Sequence, residues 1–250
     1  MSHDIVILGV FVADTAYRAD RQPVMGETIM GKSFALGPGG KGSNQAVAAG
    51  MAEGDVGFIS KLGKDPFADM ALATWAKAGV TSLASQHADG YTGAAYIFIE
   101  EATGNNAIII SPGVAATISI ADVDACAEAI GAAKVFVTQL EQPLDAAEHA
   151  LGLARAGGAT TILNPAPAAE LRDSMLALCD YVTPNETETE ALTGIPVQSV
   201  EDASRAAEAL LARGVRAAVI TLGENGCLYH DGETAVHVPV FMAGPVVETT

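Results

Sequence analysis

Six short runs of apolar residues recur along the chain, and segments with helical spacing separate most of them. The runs cover residues 5–11, 56–59, 134–138, 160–163, 181–183 and 217–222. Continuous apolar runs are typical of strands buried on both faces of a sheet. Helices are predicted between them at 66–78, 145–156 and 200–213. Because such alternation builds right-handed crossovers around parallel strands, the chain is predicted to adopt an α/β fold with a mainly parallel central sheet.

Two segments, at about 12–36 and 91–110, lack crossover helices and are predicted to form a small separate sheet. A hairpin signal lies at residues 103–106, between strand-like runs. Tyr96 and Phe98 alternate with period 2, so both lie on one face of their strand. That face either meets a substrate or fills the interface between two sheets.

The overall composition restricts the class of protein. With 250 residues, half of them hydrophobic, the chain can bury the core of a single domain. No apolar stretch reaches the length of a membrane span, and no signal peptide precedes residue 5, so a cytoplasmic location is expected. The net charge of −17 argues against nucleic acid and anionic membranes as partners. Three cysteines without C-x-x-C spacing predict reduced thiols rather than a metal cluster.

A glycine-rich run at residues 37–42 leads directly into a helix of small residues. Glycine allows close approach of the main chain to a ligand, and the amides that open a helix attract oxygen atoms. Gly37, Gly39 and Gly42 fit the dinucleotide spacing G-x-G-x-x-G, but the preceding strand is weak and no acidic residue closes the next strand. A Walker A motif is excluded because Gly42 follows Lys41 where Ser or Thr is required.

Several polar or glycine positions directly follow predicted strands. In open α/β sheets, ligands bind beyond the carboxyl ends of the strands. A cleft at this edge is therefore predicted to include Asp14, Glu141, Asn164, Asn185 and Gly223.

An ordered set of motifs closely resembles the ribokinase-like (PfkB) family of carbohydrate and nucleoside kinases, above all its ribokinase branch. The set comprises the glycine-rich run, Asp14, Gly26-Glu27-Thr28, Gln139-Leu140-Glu141, Asn164-Pro165-Ala166-Pro167, the segment Thr183-Pro184-Asn185-Glu186-Thr187-Glu188, and Thr221-Leu222-Gly223. The resemblance implies a three-layer α/β/α sandwich in a single domain, 1–250, with a small β-sheet lid formed by the two inserted segments.

The resemblance also implies an acceptor site for a small sugar or nucleoside. Asp14 and Asn44 match the family's sugar-binding pair, and a carboxylate and an amide suit vicinal hydroxyl groups. The main chain of Gly39, Gly40 and Lys41 matches further acceptor contacts. Glu141 matches a family position beside the acceptor, near the phosphate and the metal ion. As part of the lid, Tyr96 and Phe98 are included among the acceptor residues.

ATP, Mg²⁺ and K⁺ are the ligands that the resemblance implies for the other side of the cleft. Residues matching the ATP site are Asn185, Thr221, Gly223 and Gly226. Glu188 matches a position that holds Mg²⁺ through water; without the family likeness, Glu188 would be a helix-capping charge. Glu248 and the carbonyl of Thr250 match the start of a monovalent-cation loop. The family's general base belongs to a Gly-Ala-Gly-Asp signature expected after Thr250, so no base is assigned within residues 1–250. A homodimer formed through the lid is expected.

Val12 departs from the ribokinase branch, which usually has Asn two residues before the sugar-binding Asp. A valine side chain makes no hydrogen bond, so the resemblance does not by itself predict ribose as the acceptor. The predicted function is an ATP-dependent kinase that phosphorylates a primary hydroxyl group of a sugar. The alternatives are a nucleoside kinase, a non-catalytic sugar or nucleotide sensor and, more distantly, a dinucleotide-dependent oxidoreductase.

Overall fold

A computed structural model describes residues 2–241 and residue 244. The chain divides into two compact units, Met1–Ala159 and Thr160–Thr250. Each unit contains parallel strands and helices in alternation, which confirms the predicted α/β class with a mainly parallel sheet. Within the described part of the chain, no helix combines the length and the apolar character needed to cross a membrane.

The first unit is built on four parallel strands in the order β10-β1-β4-β6. Their bounds are β1 Ile5–Leu8, β4 Val56–Ile59, β6 Val80–Ser82 and β10 Val135–Thr138. The prediction of one strand over 5–11 was too long, because the chain leaves this sheet after Leu8. Val10 and Phe11 are apolar because the connection itself is buried, with exposures of 2% and 0%.

A separate four-stranded sheet in the first unit has the order β3-β2-β8-β9. It consists of β2 Val12–Ala19, β3 Ser33–Gly39, β8 Thr92–Glu100 and β9 Asn106–Gly113. β2 and β8 run parallel, while β3 and β9 pair antiparallel to them. The sheet extends beyond the predicted segments, because residues 37–39 belong to β3. The weak strand predicted before the glycine run is therefore stabilised by its ladder with β2. Two short strands, β5 Lys61–Gly63 and β7 Ser85–His87, pair separately.

The helices of the first unit are α1 Lys41–Met51, α2 Pro66–Lys77, α3 Ile120–Asp124, α4 Ala127–Gly131 and α5 Leu144–Gly157. α2 begins where the sequence predicts it, because Asp65 caps Ala68 at 2.9 Å and Pro66 occupies the first helical position. The core of this unit includes Phe11, Phe58 and Trp75, all fully buried.

The second unit has five strands in the order β15-β14-β13-β12-β11. They are β11 Thr160–Leu163, β12 Tyr181–Val182, β13 Ala217–Thr221, β14 Cys227–His230 and β15 Ala235–Val238. β11, β12 and β13 pair in parallel, whereas β14 pairs antiparallel with β13 and β15 pairs antiparallel with β14. The helices are α6 Asp173–Leu176, α7 Glu186–Thr193 and α8 Val200–Ala212.

Candidate active site

The carboxylate of Asp14 lies directly against the glycine-rich run. β2 and β3 pair Val12 with Gly39 and Asp14 with Gly37. A Cβ atom on Gly39 would lie 2.1 Å from Oδ2 of Asp14, far inside van der Waals contact. Only glycine at residue 39 therefore leaves room for this carboxylate, and the run brings bare backbone up to a functional side chain.

Helix α1 starts at the end of this run. Gly40 is its N-cap residue and has φ 92°, a left-handed conformation that favours glycine. A Cβ atom on Gly40 would also lie 2.4 Å from the carbonyl oxygen of Val10. The backbone N–H of Lys41 donates a 2.7 Å hydrogen bond to Oε2 of Glu141. The helix opening thus already binds one carboxylate, in accordance with the preference of such amides for anionic oxygens.

Burial alters the acidity of the two carboxyl groups. It raises the pKa of Asp14 above its ordinary value. It also raises the pKa of Glu141, where the negative charge of Asp14 acts in the same direction and the hydrogen bond from Lys41 opposes it. Asp14 and Glu141 are therefore brought close enough to interact electrostatically. A pair of partly desolvated carboxylates can accept hydrogen bonds from hydroxyl groups that replace lost water.

Asn44 lies in the first turn of α1, with its backbone N–H bonded to the carbonyl of Gly40 at 2.9 Å. The side chains of Asn44 and Lys41 are both exposed. The structure therefore brings together Asp14, Gly39, Gly40, Lys41, Asn44 and Glu141 around the start of one helix.

Tyr96 and Phe98 do not join this group. Strand register pairs Asp14 with Ala95 and Ala95 with Ile110, whereas Tyr96 pairs with Thr15. Because successive side chains in a strand point to opposite faces, Tyr96 and Phe98 lie on the face opposite Asp14. The prediction grouped both rings with Asp14 among the acceptor residues, and the register separates them from Asp14.

Apolar residues on the face of Asp14 were missed by the sequence reasoning. Ala95 and Ile110 share that face by register, and Ile97 follows on the same side of β8. The period of β8 was visible in the sequence. The pairing of β8 with β2, which decides the face, depends on contacts about 80 residues apart in the chain.

In the second unit, Asn185 and Glu188 cap helix α7. Oδ1 of Asn185 accepts a 2.8 Å hydrogen bond from the N–H of Glu188, and Oε2 of Glu188 accepts one of 2.9 Å from the N–H of Asn185. This reciprocal arrangement is a capping box. The structure therefore shows the capping role that the sequence offers as the alternative for Glu188. Asn164 is likewise engaged, donating to the carbonyl of Thr183 at 3.1 Å.

A tight turn at residues 222–226 joins β13 to β14, which pair antiparallel. Thr221 is exposed, and its N–H is bonded to the carbonyl of Pro184 at 2.9 Å. Gly223 and Gly226 have φ of 51° and 87°. A cavity of about 220 Å³ adjoins the turn, lined among others by Glu186, Ser199, Leu222, Asn225 and His237. The turn thus offers exposed backbone beside a concave surface.

The expected monovalent-cation ligands, Glu248 and Thr250, lie outside the described residues. Among residues 2–241 and 244, no three His, Cys, Asp or Glu side chains are grouped as ligands of a metal ion. Glu188 is buried, and its carboxylate is shared with the helix cap.

Comparisons with known proteins identify one family of kinases over nearly the whole chain. Residues 2–250 match the family described as pfkB family carbohydrate kinase. The chain is 36% identical over 245 residues to a deoxyribokinase of Salmonella typhi, covering 97% of this chain and 80% of the relative. It is 36% identical over 255 residues to a ribokinase of Staphylococcus aureus, covering 100% and 82%. The ribokinase of Arabidopsis thaliana, solved with ribose and ATP, superposes with a TM-score of 0.91 at 27% identity, covering 100% of this chain and 82% of that chain.

Proposed function

We propose that this chain, which belongs to the pfkB family of carbohydrate kinases, transfers the γ-phosphoryl group of ATP to a primary hydroxyl group of a pentose. The family and its relatives make it a sugar kinase, a phosphotransferase with an alcohol group as acceptor. They favour this function over a nucleoside kinase, a non-catalytic sensor and a dinucleotide-dependent oxidoreductase.

The observation that carries the proposal is the position of Asp14 against Gly39, beside the start of α1. In the proposed complex, Asp14 and Asn44 bind hydroxyl groups of the sugar. The backbone of Gly39, Gly40 and Lys41 lines the same site. Ala95 and Ile110 replace Tyr96 and Phe98 as the apolar wall, because they share the face of Asp14.

Glu141 is proposed to lie beside the reacting end of the sugar. Its hydrogen bond to Lys41 ties it to the glycine run. In that position, its charge would orient the acceptor hydroxyl group and a bound cation. Catalysis of phosphoryl transfer depends chiefly on such positioning and on stabilisation of charge.

ATP is proposed to bind at the turn of the second unit. Gly223 and Gly226 present backbone without side-chain bulk, next to the exposed Thr221. Asn185 lies at the helix opening that suits phosphate oxygens. Mg²⁺ would be held through water by Glu188, and K⁺ by Glu248 and Thr250. When bound, Mg²⁺ neutralises charge on the phosphates. Glu188 fits a water-mediated site better than direct binding, since one of its oxygens already caps α7.

The preferred acceptor is proposed to be a 2-deoxypentose. Val12 is buried, two residues before Asp14 and on the same face of β2. At this position the ribokinase branch usually has an amide, which could bind a further hydroxyl group. An apolar side chain instead leaves such a hydroxyl without a partner, which costs about 1 to 3 kcal/mol. The relative named deoxyribokinase is in accordance with this preference.

Two further parts of the proposal concern assembly and location. Tyr17, Phe34, Leu36 and Ile109 form an exposed apolar face of the four-stranded sheet, with exposures from 43% to 66%. Tyr17 contacts Phe34 and Tyr96, with ring centroids 5.0 and 5.6 Å apart. We propose that a second copy of the chain covers this face, since exposed apolar patches mark association sites. A cytoplasmic location remains the expectation.

A coupled ADP-release assay of the full-length protein tests the function. It compares 2-deoxyribose, ribose, a hexose and adenosine, each with ATP and Mg²⁺. We expect the highest kcat/KM with 2-deoxyribose. Turnover with adenosine alone would indicate a nucleoside kinase, and no stimulation by any acceptor would contradict the proposal.

The Val12→Asn variant should shift the preference towards ribose. An unchanged ratio of kcat/KM for 2-deoxyribose to kcat/KM for ribose would remove Val12 from the explanation.

A further inference from the structure

We infer that Trp75 is a positioning residue of the acceptor site. Its side chain joins the segment that leads to Asp14 with the helical turn that carries Asn44. This inference rests on the proposed function, because it concerns the geometry of the same acceptor site.

The first link runs from Trp75 to helix α1. Nε1 of Trp75 donates a 2.9 Å hydrogen bond to Oγ of Ser43, and both residues are fully buried. A buried indole N–H requires an acceptor, because leaving it unpaired costs the full desolvation penalty. Ser43 directly precedes Asn44, so this bond holds the turn of α1 from which Asn44 projects.

The second link runs from Trp75 to the start of β2. Its ring packs edge-on against Phe11, with centroids 6.0 Å apart and an interplanar angle of 87°. Phe58 contacts the ring from β4 at 4.9 Å. Phe11 directly precedes β2, the strand that carries Asp14. Its Cα atom would lie 3.0 Å from a Cβ on Gly40, so the glycine run rests on the same segment.

Helix α2, which carries Trp75, is itself fixed at its other end. Asp65, its N-cap, accepts a 2.7 Å hydrogen bond from the N–H of Thr92, the first residue of β8. One rigid helix therefore connects β8 with α1. Binding groups must be held within about 0.5 Å of their productive positions. Trp75 is placed to maintain the separation of Asp14 and Asn44 with that precision.

Steady-state kinetics of the full-length protein can separate positioning from general stability. Trp75→Phe removes the N–H donor and keeps an aromatic ring; Ser43→Ala removes the acceptor with little change in volume. Each variant should raise KM for 2-deoxyribose about fivefold to tenfold and leave KM for ATP within about twofold. Because both substitutions remove the same hydrogen bond, the double variant should raise KM for 2-deoxyribose no more than Trp75→Phe alone does.

Thr161→Val is the matched control. Thr161 is a buried residue of the second unit whose hydroxyl group donates to the carbonyl of Leu178 at 2.6 Å. This variant should lose thermal stability without a change in KM for 2-deoxyribose. Equal increases in both KM values for Ser43→Ala, or an unchanged KM in a folded variant, would overturn the role of Trp75.

A second readout uses Trp75 as the only tryptophan in the sequence. Titration with 2-deoxyribose should change the emission of the wild-type protein, and Ser43→Ala should shift the midpoint to higher sugar concentration by the same factor as KM. An unshifted midpoint would overturn the positioning role. Absence of acceptor-dependent turnover in the wild type would instead overturn the proposed function, and with it this inference.

Discussion

Gly39, in the proposed acceptor site, and Gly226, in the proposed nucleotide site, are required for different reasons. Gly39 is needed because the carboxylate of Asp14, which is proposed to bind the acceptor, occupies the space of its Cβ. Gly226 is needed because its Cβ would lie 2.0 Å from the carbonyl oxygen of Val238, which is a requirement of the turn itself. Gly40 of the same run is required by backbone, since its Cβ would lie 2.4 Å from the carbonyl oxygen of Val10. The proposed acceptor site thus contains one glycine, Gly39, that makes room for a side chain, whereas Gly226 makes room for backbone alone.

The polar side chains of the two regions differ in the same way. Burial raises the pKa of both Asp14 and Glu141, so the folded chain holds their charged forms at a cost. Asn185 and Glu188 instead satisfy each other in a capping box. Substitutions in the acceptor region should therefore change activity more than stability. Those in the nucleotide region should change both.

The largest effect is expected from Asp14→Ala. Two charge-assisted hydrogen bonds to the sugar would be lost, each worth roughly 1.5 to 3 kcal/mol. The kcat/KM for the acceptor should fall by roughly 10²- to 10⁴-fold, while KM for ATP stays within about threefold. Chemical denaturation should show no loss of stability, because a partly desolvated carboxylate is removed. Equal changes in both KM values would make Asp14 a structural residue.

The next largest effect separates two glycines of the second unit. Gly226→Ala should destabilise the protein by roughly 3 kcal/mol, because a left-handed φ and a steric clash act together. Gly194 has a similar φ of 71°, but a methyl group added there would meet nothing within 4 Å, so Gly194→Ala should cost only about 1 kcal/mol. Thermal melts of both variants measure the difference. Equal losses would show that the turn tolerates the clash.

Glu188 offers a smaller and sharper contrast. Glu188→Ala breaks the capping box and should cost about 0.5 to 2 kcal/mol of stability. Glu188→Gln keeps an oxygen for the N–H of Asn185 and should retain that stability, yet it should raise the Mg²⁺ concentration needed for half-maximal rate. An unchanged Mg²⁺ requirement in the Gln variant would show that Glu188 only caps helix α7 and does not take part in Mg²⁺ binding.

The smallest effect is a dependence on pH. Because the folded pKa of Asp14 and Glu141 is raised, the folded chain takes up their protons before the unfolded chain does as pH falls. Their contribution to stability therefore increases as pH falls through the folded pKa and is lost as pH rises. Acceptor kcat/KM should change in the opposite direction, since protonated carboxyl groups bind hydroxyl groups less well. A rate profile compared with melts at the same pH values checks both signs.

Local patterns in the sequence predicted much of the fold. The strand at 56–59 and the helix capped by Asp65 lie where the patterns place them, because burial and capping act within a few residues. Such local patterns did not predict the register between strands of the four-stranded sheet. The face of Tyr96 depends on which residue of β2 pairs with it, and the strand at Gly37 exists through its ladder with β2.

The candidate site was predictable to a similar extent. Glu141 follows the end of β10, as the sequence predicts, whereas Asp14 was expected directly after the strand at 5–11 and instead lies within β2. The hydrogen bond between Trp75 and Ser43 could not be predicted, because a buried contact between two helices leaves no periodic signal in the sequence. The capping box of Asn185 and Glu188 was visible as a spacing of three residues.

The central claim, that the acceptor binds where Asp14 meets the glycine run, is tested most directly by calorimetric titration of Gly39→Ala. The added methyl group must displace the carboxylate of Asp14, because its position would be 2.1 Å from Oδ2. We predict that the Kd for 2-deoxyribose rises at least about tenfold, while the Kd for a non-hydrolysable ATP analogue stays within about twofold. Unchanged sugar affinity in this variant, or a larger loss of affinity for the ATP analogue than for the sugar, would contradict the claim.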